Sequence, residues 1–272
     1  MNGPGAKPFF LEASGGERFA IHFPPAGRCR GTVLFAPPFA EELNKSRRMI
    51  AMQSRNLASI GFAVLHVDLL GTGDSSGDFR DAGWAAWQED LLLGASWLRK
   101  RYEAPLVLWG MRLGALLALD VAPMIQPDSI LLWQPVVSGE AFTTQFLRLR
   151  VASEMMGGGK KTVKDLRCEL AAAGSMEIAG YEISSGLLEA IDRLKLSEMG
   201  MPGTDHCWME AVQDESAPPS PATSRMLEAW RNRGIRVEHV RMKSEPFWST
   251  QEITDSPGFL SCTTGHVSEK YP

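Results

Sequence analysis

Cysteine, tyrosine and histidine are scarce in this sequence, with 4, 3 and 5 copies in 272 residues. Cys29, Cys168, Cys207 and Cys262 lack the short spacings of a metal site and do not form a disulfide framework, so they read as reduced thiols of a cytoplasmic protein. No metal and no cofactor is assigned. A strong charge of either sign is also missing: the net charge is −4, which gives no reason to expect nucleic acid. No apolar run is long enough for a membrane span. The opening MNGPGAKPFF has one lysine and no apolar core, so no secretory leader is read there. What remains is ordinary for a globular chain, 44% hydrophobic and 22% charged, long enough for one α/β domain with an insertion.

The chain is organised around Pro105 to Leu119, PLVLWGMRLGALLAL. Leu106 to Trp109 is too short and apolar for anything but a buried strand, and the Ala/Leu stretch from Leu113 reads as a helix ending near Pro123. Between them, Gly110-Met111-Arg112-Leu113-Gly114 has the frame of a G-x-S-x-G turn, whose glycines leave room for a sharp backbone reversal. Arg112 stands where that frame carries a nucleophilic serine.

In chain order, Phe9–Leu11 and Arg18–Phe23 flank a Ser-Gly-Gly turn and read as edge strands. Thr32–Ala36 is a buried strand stopped by Pro37-Pro38. Ser46 is expected to cap the helix carrying Met49, Ile50 and Leu57. A strand over 62–67, a glycine loop DLLGTGDS at 68–75, a helix over 84–102 and a strand over 129–133 complete a run that predicts a parallel sheet covered on both faces. Residues 138–202 lack a convincing strand and are expected to form a helical cap inserted over the strand ends. Strands at 207–212 and 235–242 enclose a helix with Met226, Leu227 and Trp230. A further helix is expected near Ser249 or Thr250, and 257–272 is expected to be a poorly structured tail. The core is thus assigned to 1–137 and 203–256.

This order, together with the elbow frame and the D-x-x-G-x-G-x-S loop, resembles the α/β-hydrolase fold over roughly residues 9 to 255. PPFAEELNKSRRM at 37–49, GMRLG at 110–114 and EPFW at 245–248 resemble, more closely, the exosortase A system-associated hydrolases of the hydrolase 2 type. The resemblance implies a hydrolase of the α/β class that accompanies exopolysaccharide and protein-sorting systems, with a small-molecule substrate.

Such chemistry needs a hydroxyl nucleophile, a histidine base and an orienting acid. A guanidinium stays protonated and cannot attack a carbonyl, so Arg112 does not serve as the nucleophile. Asp214 or Glu215 follows the strand ending at Val212 and takes the acid's place. The base is expected near 245–248, where the chain reads Glu-Pro-Phe-Trp; His239 and His266 lie elsewhere. Oxyanion donors would be the Phe39 and Leu113 amides, since Pro38 has none. Arg112 sits where open α/β sheets bind ligands, at a helix start that favours anions. Its expected partner is Glu41 or Glu42, or an anionic ligand that displaces them. Phe39, Asn44, Arg47, Leu113, Phe247 and Trp248 complete the set of substrate contacts. Three readings stay open: a hydrolase, a non-catalytic protein binding a small anion, and a partner-binding protein of an export system.

Overall fold

The computed structural model describes residues 5–272. An eight-stranded sheet is built from β1 (Lys7–Ala13), β2 (Gly16–Phe23), β3 (Gly31–Ala36), β4 (Phe62–Val67), β5 (Leu106–Met111), β6 (Ser129–Trp133), β9 (Asp205–Val212) and β10 (Arg236–Lys243). The spatial order is β1-β2-β4-β3-β5-β6-β9-β10. Pairing is antiparallel at β1–β2 and β2–β4 and parallel from β4 onward. Of the opening hairpin only β1 is an edge; β2 lies inside the sheet, with its last four residues paired to β4. At the other edge, β10 (RVEHVRMK) sets charged residues among apolar ones, which discourages pairing with another chain.

The parallel strands are buried on both faces, and successive side chains enter different layers. Leu34, Ala36, Leu65, Leu108, Ile130 and Leu132 pack with the residues of α2 (Trp84–Arg101), α3 (Leu113–Ile125) and α7 (Pro221–Asn232). Val33, Phe35, Val64, Val107, Trp109, Leu131 and Trp133 pack against α1 (Glu41–Ser59) and α8 (Pro257–Lys270). The layout expected from the sequence, a mostly parallel sheet with helices on both faces, is what forms.

Four local expectations are corrected. The helix after β3 begins at Glu41, not near Ser46; Ser46 is fully buried inside it, and its hydroxyl has no partner among the described residues. No helix starts at Ser249 or Thr250, where the chain turns instead. Residues 257–270 are not a loose tail. They form α8, whose Phe259, Leu260, Thr263 and Val267 are buried at helical spacing, and Thr263 Oγ1 accepts from Trp133 Nε1 at 3.2 Å. Without that helix one face of β5 and β6 would be bare, so burial overrides the low helix propensity of its glycines and threonines.

Between β6 and β9 run α4 (Gly139–Met156), α5 (Val163–Ala173), a hairpin of β7 (Ser175–Ile178) and β8 (Tyr181–Ser184), and α6 (Ser185–Asp192). The hairpin is the fourth correction to a segment read as all-helical. Its two-residue turn, Ala179-Gly180, has φ of 51° and 85°. That geometry suits a tight hairpin but is disguised by an alanine where asparagine is usual.

Candidate functional site

Three strands end in backbone that non-glycine residues rarely adopt. Ala40 after β3 has φ 51°, Arg112 after β5 has φ 55°, and Gln134 after β6 has φ 44°. Each costs on the order of 1–3 kcal/mol and persists only where the surroundings enforce it. At Arg112 the enforcement is visible. A Cβ on Gly110 would come within 2.6 Å of Ala115 Cα, and one on Gly114 would fall inside the contact radii of the Ala36 and Pro37 carbonyl oxygens. The elbow can close because both positions are glycine, and Arg112 is left at its apex.

The Arg112 side chain is held from several sides. Nε and Nη2 donate to Glu42 Oε1 at 3.0 and 2.9 Å, Nη1 donates to the Gln134 carbonyl at 3.4 Å, and the guanidinium lies 5.3 Å from the centroid of the Trp248 ring. Glu41 turns elsewhere: its carboxylate accepts from Asn44 Nδ2 at 3.0 Å and from Tyr181 Oη at 3.2 Å. Glu42 Oε2 is buried and has no hydrogen-bond partner among the described residues. Burial pushes the Glu42 carboxyl above the ordinary 4.5, against the pull of Arg112.

A raised folded value means that this group's stabilisation is fully present at low pH and is lost as pH rises through it. Relative to Glu42→Gln, the wild type is therefore expected to lose stability as pH rises from about 4.5. Urea unfolding of both proteins across that range checks the sign. Glu42→Ala leaves the guanidinium without its carboxylate. Because the pair is about one-fifth exposed (20% and 21%), the expected cost is about 1–3 kcal/mol, below the range for a fully buried pair.

Two cavities meet here. A cleft of about 680 Å³ lies over the elbow, lined by Glu42, Lys45, Arg112, Trp248 and the α4 residues Phe142 and Phe146. A smaller cavity of about 230 Å³ lies beside it, lined by Phe39, Asn44, Arg47, Trp84, Trp87 and Leu113. Phe39, Ala40 and Tyr181 line both. The amides of Phe39 and Leu113 donate to no acceptor among the described residues.

Several residues assigned from the sequence fall elsewhere. Asp214 is exposed, accepts from the Ser216 amide and hydroxyl, and lines neither cavity; Glu215 is likewise on the surface, accepting from the Lys243 amide. Phe247 is core, 1% exposed between Trp133 and Phe259. His239 is engaged with Glu210 at 3.0 Å, and His266 faces Glu238 at 3.3 Å in a groove at the opposite ends of the strands. Among the described residues no histidine lines either cavity. Residues not anticipated are Gln134, Phe142, Phe146, Tyr181, Trp84 and Trp87. Of these only the tryptophans carried a sequence signal, as bulky residues near the start of a helix beside the glycine loop.

The sheet order, the strand–elbow–helix at Gly110 to Gly114 and the segment inserted after β6 define the α/β-hydrolase fold. Solved structures agree. Est1E from Butyrivibrio proteoclasticus, with ferulic acid bound, matches with a TM-score of 0.69 at 16% identity, over 96% of this chain and 97% of that one. A serine hydrolase without a lid from Xanthomonas campestris matches at 0.63 and 16%, over 98% and 95%. Mouse alpha/beta hydrolase domain-containing protein 10 matches at 0.60 and 15%, over 97% and 98%. No family model and no curated protein matches the sequence. These likenesses establish the fold. No helix among the described residues is long and apolar enough to cross a membrane.

Proposed function

We propose that this hydrolase-fold protein binds a small anionic ligand over the elbow and does not cleave esters. One observation carries the reading: the apex of the elbow bears Arg112, tied to Glu42, beneath a cleft that is also lined by Lys45. A carboxylate or phosphate displaces Glu42 from the guanidinium, which grips two oxygens at once. Lys45, whose ammonium meets only the Ser249 carbonyl at 3.4 Å among the described residues, adds a second cation, and the cap segment 138–202 covers the ligand. The resemblance to exosortase A system-associated hydrolases supports a place in surface-polymer or protein-sorting metabolism, with a partner from that system, and the free thiols support a cytoplasmic location.

A hydrolase reading is favoured by one feature, the free amides of Phe39 and Leu113, which are placed as oxyanion donors. A paired measurement separates the two. Thermal shift with phosphate and with succinate is expected to show a saturable rise in Tm for the wild type, a smaller one for Arg112→Lys and none for Arg112→Ala. A fluorophosphonate probe is expected to label no serine. Labelling mapped by mass spectrometry to one serine, with no response to either anion, would establish the hydrolase instead.

A further inference from the structure

The smaller cavity has the makings of a separate site. Its walls are Pro37, Phe39, Leu69, Phe79, Trp84, Trp87 and Leu117, with Tyr181 over it. Both indole N–H groups are already spent, Trp84 Nε1 on Asp120 at 2.7 Å and Trp87 Nε1 on the Leu70 carbonyl at 3.0 Å. What these residues offer a ligand is therefore ring surface. Phe39 stands edge-on to both Phe79 and Trp87, with centroids 5.4 and 6.1 Å apart, so the aromatic wall is itself packed and preformed. An apolar cavity of about 150 Å³ accepts a benzene molecule, so 230 Å³ accommodates a substituted ring or a short branched chain.

The polar groups of this cavity are unevenly satisfied. Thr72 Oγ1 donates to the Leu69 carbonyl, and Asn44 Nδ2 is shared between Glu41 and Tyr181. Arg47 makes a single hydrogen bond, from Nε to Asn44 Oδ1 at 3.3 Å, and forms no ion pair among the described residues. Its two terminal nitrogens meet no acceptor among the described residues. Burial pushes the Asp68 carboxyl above its ordinary value, against a weaker opposing pull from the Asp74 amide and from Arg47, with which it forms no ion pair. The charge balance also differs between the cavities. Glu41 and Glu42 offset Lys45 and Arg112 in the larger one, whereas among the described residues Arg47 is the only charged side chain lining the smaller one.

We infer that this cavity binds an amphipathic monocarboxylate, its aromatic or branched apolar body among Phe39, Trp84 and Trp87 and its carboxylate on the free edge of Arg47. Apolar burial supplies the affinity, and the guanidinium selects the charged ligand over a neutral one. The site does not depend on Arg112, so it stands or falls separately from the ligand proposed over the elbow.

The test compares 3-phenylpropanoate with its uncharged counterpart 3-phenylpropanol by isothermal titration calorimetry. Protein labelled with 5-fluorotryptophan is followed by fluorine NMR alongside it. The wild type is expected to bind the acid at least fivefold more tightly than the alcohol, with shifts in the Trp84 and Trp87 resonances and none at Trp208 or Trp230. Arg47→Gln, a change at an exposed side chain that leaves the fold intact, is expected to erase the preference while leaving alcohol binding unchanged. Leu43→Phe, which adds bulk to the lining, is expected to weaken both ligands. Arg48→Gln, at an exposed arginine that lines neither cavity, is expected to leave both unchanged. Equal affinities for acid and alcohol in the wild type, an undiminished preference in Arg47→Gln, or Trp84 and Trp87 resonances that do not move would each overturn the assignment. Loss of acid binding in Arg112→Gln with Arg47→Gln unaffected would move the carboxylate to the elbow and overturn it as well.

Discussion

Gly114→Val is expected to destabilise the protein by about 3 kcal/mol, at the upper end of ordinary overpacking. The added side chain cannot swing away from the clash. Its first carbon already overlaps two backbone carbonyls at the end of β3, and neither can retreat without moving the strand in the middle of the sheet. Urea unfolding gives the measurement: a lower midpoint with an unchanged slope is the expected result. A midpoint equal to wild type would mean that the helix does not approach β3 as closely as described. Gly114→Ala separates size from shape, because it places only that first carbon and is expected to retain most of the loss.

The second large effect is expected where α2 meets β2. Arg18 and Asp90 form an ion pair with both side chains 2% exposed, Nε to Oδ1 at 2.7 Å. Asp90 Oδ2 also accepts from the Leu70 amide at 2.7 Å. Asp90→Ala leaves a buried guanidinium with only the Ser14 and Glu17 carbonyls and an amide with no acceptor, and is expected to cost about 3–5 kcal/mol. Replacing both partners with apolar residues, Arg18→Met with Asp90→Leu, is expected to recover most of that loss in chemical denaturation, since no isolated charge remains. If the double variant is as unstable as Asp90→Ala, packing rather than the stranded charge sets the cost. Leu70 borders the glycine loop, and its carbonyl holds Trp87, so Asp90→Ala is also expected to loosen one wall of the smaller cavity.

The sequence made the elbow legible because a sharp reversal between a strand and a helix has few solutions, and paired glycines around one exposed residue is among them. The sheet was legible for a related reason: short runs apolar on both faces need helices above and below. Pairwise facts were harder. Glu41 and Glu42 are neighbours in sequence, but on α1 they point in different directions, one to Tyr181 and one to Arg112. That choice depends on where the β7–β8 hairpin sits, which no local pattern records. Phe247 and Trp248 show the same limit. Adjacent aromatics beyond the last strand looked alike, yet one fills the core under α8 and the other lies against Arg112. Asp214 was placed by its position after β9 alone. The loop that follows is anchored by Arg241, which donates to the Asp214 and Glu215 carbonyls, and the Asp214 carboxylate remains on the surface. The helix α8 was missed because Gly258, Gly265, Thr263 and Thr264 mask an apolar spacing that becomes meaningful only beside Trp109 and Trp133.

The position of α8 has a consequence for how the molecule is made. A ribosome releases β5 and β6 well before it releases residues 257–270, so the α1 face of the sheet waits for its last cover. At ~5–20 residues per second, the delay is on the order of ten seconds. Throughout it, Trp133 lacks its contact with Phe259, and the cluster around it lacks Leu260 and Val267. The nascent chain thus carries an apolar patch that its own later residues must cover, and its yield in a cell depends on whatever shelters that patch until α8 arrives.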